Sequence, residues 1–189
     1  MILVVDNFDS FTYNLVDYLQ QLGQHINVKR NNSPLSEILS EEYKGVVLSP
    51  GPGIPTNAGQ LMKIVDHYIG NVPLLGICLG HQAIGEYYNA KLIKAKKPMH
   101  GKISEVIHKN DPLFYKIPQR FNVVRYHSLI FNDLPDQLKI IATTRDGEIM
   151  ALKHKSLLAY GVQFHPEAIL TEFGLQILKN WINLLGSSD

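Results

Sequence analysis

Apolar residues arrive along this chain in short unbroken runs, each followed by a stretch with helical spacing. Met1–Val5 is continuously apolar and ends at Asp6, the pattern of a strand buried on both faces. Phe11, Leu15, Tyr18, Leu19 and Leu22 then recur at helical spacing, with Ser10 placed to cap the helix and Gly23 to end it. Ile26–Lys29 predicts a short second strand, and Ser33-Pro34 a cap and opening for a short helix. Gly45–Ser49 predicts a third buried strand, broken by Pro50-Gly51-Pro52-Gly53. Leu61, Ile64, Val65 and Tyr68 carry a further helix, Pro73–Ile77 a strand, and Gly80–Tyr88 another helix. Strands alternating with helices predict a parallel sheet covered on both faces.

The second half changes character. Lys102–His108, Arg120–Tyr126, Leu138–Thr144, Glu148–His154 and Leu157–Phe164 read as strands, with turns at Asn110-Asp111-Pro112 and Asp146-Gly147. A final helix carries Leu175, Leu178, Trp181, Ile182 and Leu185. The expected fold is therefore α/β: an open, mostly parallel central sheet with helices on both faces, plus a smaller antiparallel strand block. With no repeat, linker or shift in composition, residues 1–189 read as a single domain.

Composition removes several function classes. Eighteen basic and seventeen acidic side chains leave a net charge of +1, which gives no electrostatic reason to expect nucleic acid or an anionic membrane as partner. A single cysteine allows no internal disulfide and no multi-cysteine metal site, so no metal or cofactor is expected in the chain. No apolar run approaches the roughly 20 residues a membrane helix needs, and no basic stretch precedes the first strand. A soluble, cytoplasmic protein is expected.

The candidate chemistry gathers where strands end. Gly76-Ile77-Cys78-Leu79-Gly80 links a buried strand to a helix, the setting of a nucleophile elbow with cysteine as nucleophile. Its glycines suit a turn whose backbone segments pass very close. Cys78 at a helix N-terminus has its thiolate favoured by the helix dipole. A lone cysteine is otherwise a small buried hydrophobe, and only the flanking glycines and the strand–helix junction argue against that here.

A nucleophile needs a base. His165 follows one strand and precedes Pro166-Glu167; proline keeps the residue before it extended, so Glu167 points to the same side as His165 and can fix its tautomer. The plain alternative is a strand-end turn with a solvated glutamate. Strand ends of a parallel sheet converge at one crevice, which favours Cys78, His165 and Glu167 acting together.

Pro50-Gly51-Pro52-Gly53 borders the same crevice. No Gly-Lys-Ser/Thr follows it, so a nucleotide P-loop is disfavoured. A backbone donor to an oxyanion, with Leu79 N–H as the second donor, fits better than a plain rigid turn. Asp6 and Asp9 read as turn and cap residues, since no aspartate ends the strand at Leu48-Ser49. Lys94, Lys96 and Lys97 read as a solvated face. His81 and Gln82 open the helix after Cys78, and His127-Ser128 shows no chemistry through its spacing.

Taken together, Leu48–Gly53, Leu75–Gln82 and Gly161–Glu167 resemble the class I, triad-type glutamine amidotransferases over essentially the whole chain. Asp6–Leu15, Met99-His100-Gly101-Lys102 and Arg125–Leu129 narrow the resemblance to the glutaminase subunits of anthranilate synthase and aminodeoxychorismate synthase. The resemblance implies that Cys78 attacks the side-chain amide of glutamine, with His165 and Glu167 completing the triad and Gly51 and Leu79 holding the oxyanion. It further implies that Pro50, Gly51, Pro52, Gly53, Gln82, Ser128 and Leu129 hold the substrate. Ammonia would pass to a separate chorismate-binding synthase subunit, in a heterodimer or heterotetramer. A stand-alone cysteine amidohydrolase and a flavodoxin-like binding module with an inert triad are the competing readings.

Overall fold

The computed structural model describes residues 1–186. Five parallel strands, β1 (Ile2–Asp6), β2 (Ile26–Arg30), β3 (Gly45–Leu48), β4 (Leu74–Ile77) and β11 (Ala159–Val162), form one side of a nine-stranded sheet. The antiparallel strands β6 (Lys102–His108), β7 (Arg120–Arg125), β9 (Leu138–Thr144) and β10 (Ile149–His154) extend the same sheet. Across it the order is β2-β1-β3-β4-β11-β10-β9-β6-β7. The antiparallel block expected in the second half is therefore no separate layer. The last strand returns to the parallel half, where it pairs with β4.

β1 feeds two cores, which is why Ile2–Val5 is apolar at every position. Ile2 and Val4 pack with Leu15 and Leu19 of α1 (Thr12–Gln21) and with Ile177, Leu178 and Trp181 of α5 (Gly174–Leu185). Leu3 and Val5 point the other way, to Leu61, Ile64 and Val65 of α3 (Leu61–Tyr68) and Ala83 and Ile84 of α4 (Leu79–Tyr87). Trp181 is fully buried in the first core; truncation to alanine is expected to cost about 3–5 kcal/mol.

Two local expectations differ. Ser10 makes no cap, because α1 begins only at Thr12. Asp6 and Asp9 organise the entry instead: Asp6 Oδ1 accepts from Phe8 N–H (3.0 Å) and Thr12 Oγ1 (2.8 Å), and Asp9 Oδ1 accepts from Phe11 N–H (2.8 Å). Ser33 is likewise no side-chain cap for α2 (Leu35–Ile38), whose flanking residue is Pro34. Two short strands that the sequence pattern does not announce, β5 (Leu92–Lys94) and β8 (Leu129–Phe131), form a separate antiparallel pair beside α4. Met99 N–H donates to His127 O (2.9 Å) and Ala95 N–H to Ser128 O (2.8 Å), so this pair pins the segment leading into Leu129.

Candidate active site

Cys78 stands between β4 and α4 with φ 51° and ψ −99°, a conformation L-residues rarely adopt and one that stores strain. The turn is possible because its neighbours are glycines in contact. A Cβ on Gly76 would lie 2.3 Å from the carbonyl carbon of Gly80, and one on Gly80 would lie 2.5 Å from Leu48 O. The expected nucleophile elbow is thus present in its geometry.

The parallel pairing of β4 with β11 brings the second group of residues to it. Ile77 is in register with Val162, and Cys78 N–H donates to Val162 O (2.8 Å). The chain leaving β11 then carries Gln163, His165 and Glu167 past the sulfur. His165 is held by its own backbone: its N–H donates to Val124 O (3.1 Å) and its O accepts from Thr171 Oγ1 (2.7 Å). The Tyr126 ring stands edge-on to the imidazole with centroids 5.0 Å apart, and Phe11 does so at 6.0 Å.

Glu167 Oε1 lies 2.7 Å from His165 Nδ1, and both side chains are buried. The carboxylate accepts the Nδ1 proton, which leaves Nε2 as the working nitrogen. Burial would push the imidazole down, but hydrogen bonds and charges from Cys78 and Glu167 outweigh it and raise the pKa above the ordinary histidine value. Cys78, His165 and Glu167 are therefore brought together as expected.

The Pro50–Gly53 loop reaches the site through Gly51. A Cβ there would lie 2.5 Å from Asn7 Cβ and 2.8 Å from Leu79 Cδ2, so only glycine lets this backbone sit against the start of α4. Asn7 fixes the loop from behind: its N–H donates to Ser49 Oγ (2.9 Å), its Nδ2 donates to Ser49 O (2.8 Å), and its Oδ1 accepts from Asn31 Nδ2 (2.9 Å). Gly51 is thus packed against the Leu79 side chain at the start of α4.

Gln82 and Leu129 also meet, since Gln82 Nε2 donates to Leu129 O (3.3 Å). Ser128 is exposed beside them. The same Leu129 carbonyl accepts from His127 Nδ1 (2.9 Å), whose Nε2 accepts from Arg125 Nε (3.0 Å). Arg125 is itself buried, donating to Ser104 Oγ (3.2 Å) and paired with Glu148. Burial and the Arg125 charge push the His127 imidazole down to about 3, so it is neutral with its proton on Nδ1. Arg125 also lines an open cleft of about 910 Å³, together with the solvated Lys94, Lys96 and Lys97.

Sequence reasoning missed Arg125, His127, Asn7, Ser49 and Gln163. Gln163 carried one usable signal: it stands two residues before His165 in an extended chain and so faces the same side. The other four act through tertiary contacts that no spacing encodes.

The sequence profile of the family described as glutamine amidotransferase class-I matches residues 3–184. The chain is 46% identical to anthranilate synthase component 2 of Azospirillum brasilense, over 97% of this chain and 95% of the relative. It is 43% identical to the aminodeoxychorismate/anthranilate synthase component 2 of Bacillus subtilis, over 96% and 95%. Its backbone is similar to that of a Thermoplasma acidophilum protein described as a GMP synthase subunit, with TM-score 0.88, 30% identity, and coverage of 98% and 94%.

Proposed function

The chain belongs to the class I glutamine amidotransferases, and we propose that it is the glutaminase subunit of a chorismate-aminating synthase. The observation that carries the reading is the buried Cys78, His165 and Glu167 set assembled at the carboxyl ends of β4 and β11.

Cys78 attacks the side-chain amide carbon of glutamine. The oxyanion that forms takes hydrogen bonds from the N–H groups of Gly51 and Leu79. His165 gives a proton to the departing ammonia and then draws one from the water that hydrolyses the glutamyl thioester, with Glu167 holding its ring throughout. Gln82, the Ser128-Leu129 backbone and the Pro50–Gly53 loop hold the substrate. No step calls on a metal or cofactor. Ammonia passes to a separate subunit that binds chorismate, in a heterodimer or heterotetramer, in the cytoplasm. Among the described residues no helix is long and apolar enough to cross a membrane. The Bacillus subtilis relative carries both synthase names, and the present chain is expected to serve whichever synthase subunit it meets.

The test measures glutamate and ammonia release by the purified chain, then glutamine-dependent amination of chorismate after a synthase subunit is added. Hydrolysis coupled to amination is the expected result. Hydrolysis that never supports amination would mark a stand-alone amidohydrolase, and absence of both would mark an inert triad.

A further inference from the structure

The sulfur of Cys78 has a second polar neighbour besides the triad. Gln163 follows β11, in line with Cys78 beyond β4, because Val162 and Ile77 are paired in register. Its side chain is fully buried, and its Nε2 lies 3.6 Å from Cys78 Sγ.

Which end of this amide faces the sulfur is fixed from a distance. A guanidinium only donates, so Arg125 Nε makes His127 Nε2 an acceptor and leaves the His127 proton on Nδ1. That proton goes to Leu129 O, and a carbonyl oxygen only accepts. Gln82 must therefore turn its Nε2 to Leu129 O, and the same Nε2 reaches Gln163 Oε1 at 3.2 Å. With its oxygen occupied, Gln163 has only its NH₂ to offer Cys78. The polarity from Leu129 O through Gln82 and Gln163 to the nucleophile is set by a main-chain carbonyl that can only accept.

We propose that Gln163 is a catalytic residue: its amide N–H donates to the Cys78 sulfur and stabilises the thiolate, while its oxygen holds Gln82 toward the substrate. A hydrogen bond to the charged form of a thiol favours that form, and the thiolate is the nucleophile. The other titratable or charged groups around this centre are His165 and Glu167 after β11, His81 on α4, and His127 with the Arg125–Glu148 pair beyond Leu129. None of them changes in the variants below. The inference rests on Cys78 being the glutaminase nucleophile.

The chain contains one cysteine, so thiolate absorbance in the ultraviolet, with Cys78→Ser as the blank, reports on this sulfur alone. Titration of the wild type, Gln163→Met and Gln163→Glu gives three midpoints. Methionine keeps the length and loses the donor; glutamate keeps the shape and replaces the donor with an acceptor. The main-chain N–H of Gln163, which donates to Met150 O at 2.9 Å, survives in both. The thiolate midpoint is expected to rise by about one pH unit in Gln163→Met and further in Gln163→Glu. The pH profile of kcat/KM for glutamine should move by the same amount. Midpoints equal to the wild type in either folded variant would overturn the assignment. A wild type that shows the thiolate but hydrolyses no glutamine would overturn the proposed function and leave the Gln163 contact standing.

Discussion

Glu167 and His165 stand two residues apart, and their side chains meet at 2.7 Å with almost no solvent contact. The proline between them keeps the chain extended, so both side chains leave the backbone on the same side. The bond to His165 is made by Oε1, and Glu167 Oε2 has no hydrogen-bond partner among the described residues. The carboxylate is therefore dedicated to one imidazole, and removing either partner should have unequal consequences.

His165→Ala is expected to abolish glutamine hydrolysis nearly completely, because it removes the group that moves the proton. Glu167→Gln should leave about 10- to 100-fold more activity than that, since the imidazole remains but its tautomer and charge are less well held. Steady-state glutamine hydrolysis by the two variants makes the comparison. Equal and negligible losses in both would sink the pairing.

Cys78→Ser is expected to eliminate glutamine-dependent synthesis by the assembled complex while ammonia-dependent synthesis continues. A serine hydroxyl at this position lacks the ready ionisation that makes a thiol an effective nucleophile near neutral pH. Chorismate amination assayed with glutamine and then with ammonium salts separates the two. Near-normal glutaminase turnover in the variant would falsify the nucleophile assignment.

Gly51→Ala places a methyl group where Asn7 and Leu79 already lie within 2.8 Å. The loop must move away from the start of α4 and carry its N–H out of line with that of Leu79. Loss of one oxyanion donor lowers kcat by about 10²–10³. The fold should survive, since the displacement falls on a loop that is partly exposed. Thermal unfolding paired with kcat tests both halves, and an unchanged kcat would remove Gly51 from the oxyanion site.

Two buried histidines make folding sensitive to acid. Burial pushes His81 down to about 4, and burial with the Arg125 charge pushes His127 down to about 3. An unfolded chain protonates both near 6.5, so the unfolded state binds more protons between that value and the folded ones. The contribution of these two histidines is complete above pH 6.5 and falls as acid is added, by up to about 1.4 kcal/mol per pH unit for each. His165 has the opposite sign. Its raised pKa stabilises fully below 6.5, and that contribution fades as pH rises through the folded value. Urea unfolding between about pH 5 and pH 7 measures the slope, and His127→Asn, which keeps a neutral donor for Leu129 O, should reduce it. A slope unaffected by that substitution would mean His127 is not held neutral by the fold.

The alternating α/β order, the strand–turn–helix at Cys78 and the adjacency of His165 and Glu167 are all legible in the amino-acid sequence. Each of these is local. A strand buried on both faces must be apolar throughout, a sharp elbow needs glycines beside it, and residues on either side of a proline in extended chain share a side. Local chemistry of this kind leaves its mark on consecutive residues. The sequence could not place Gln163 against Cys78, because that contact exists only when β11 pairs with β4 across 85 residues of chain. Nor could it assign Arg125 and His127, which look like an ordinary charged strand end until the fold buries them and leaves each only one set of partners. Burial strips these groups of water, so their protons and charges must be settled by neighbours distant in sequence, and strand pairing decides which neighbours those are.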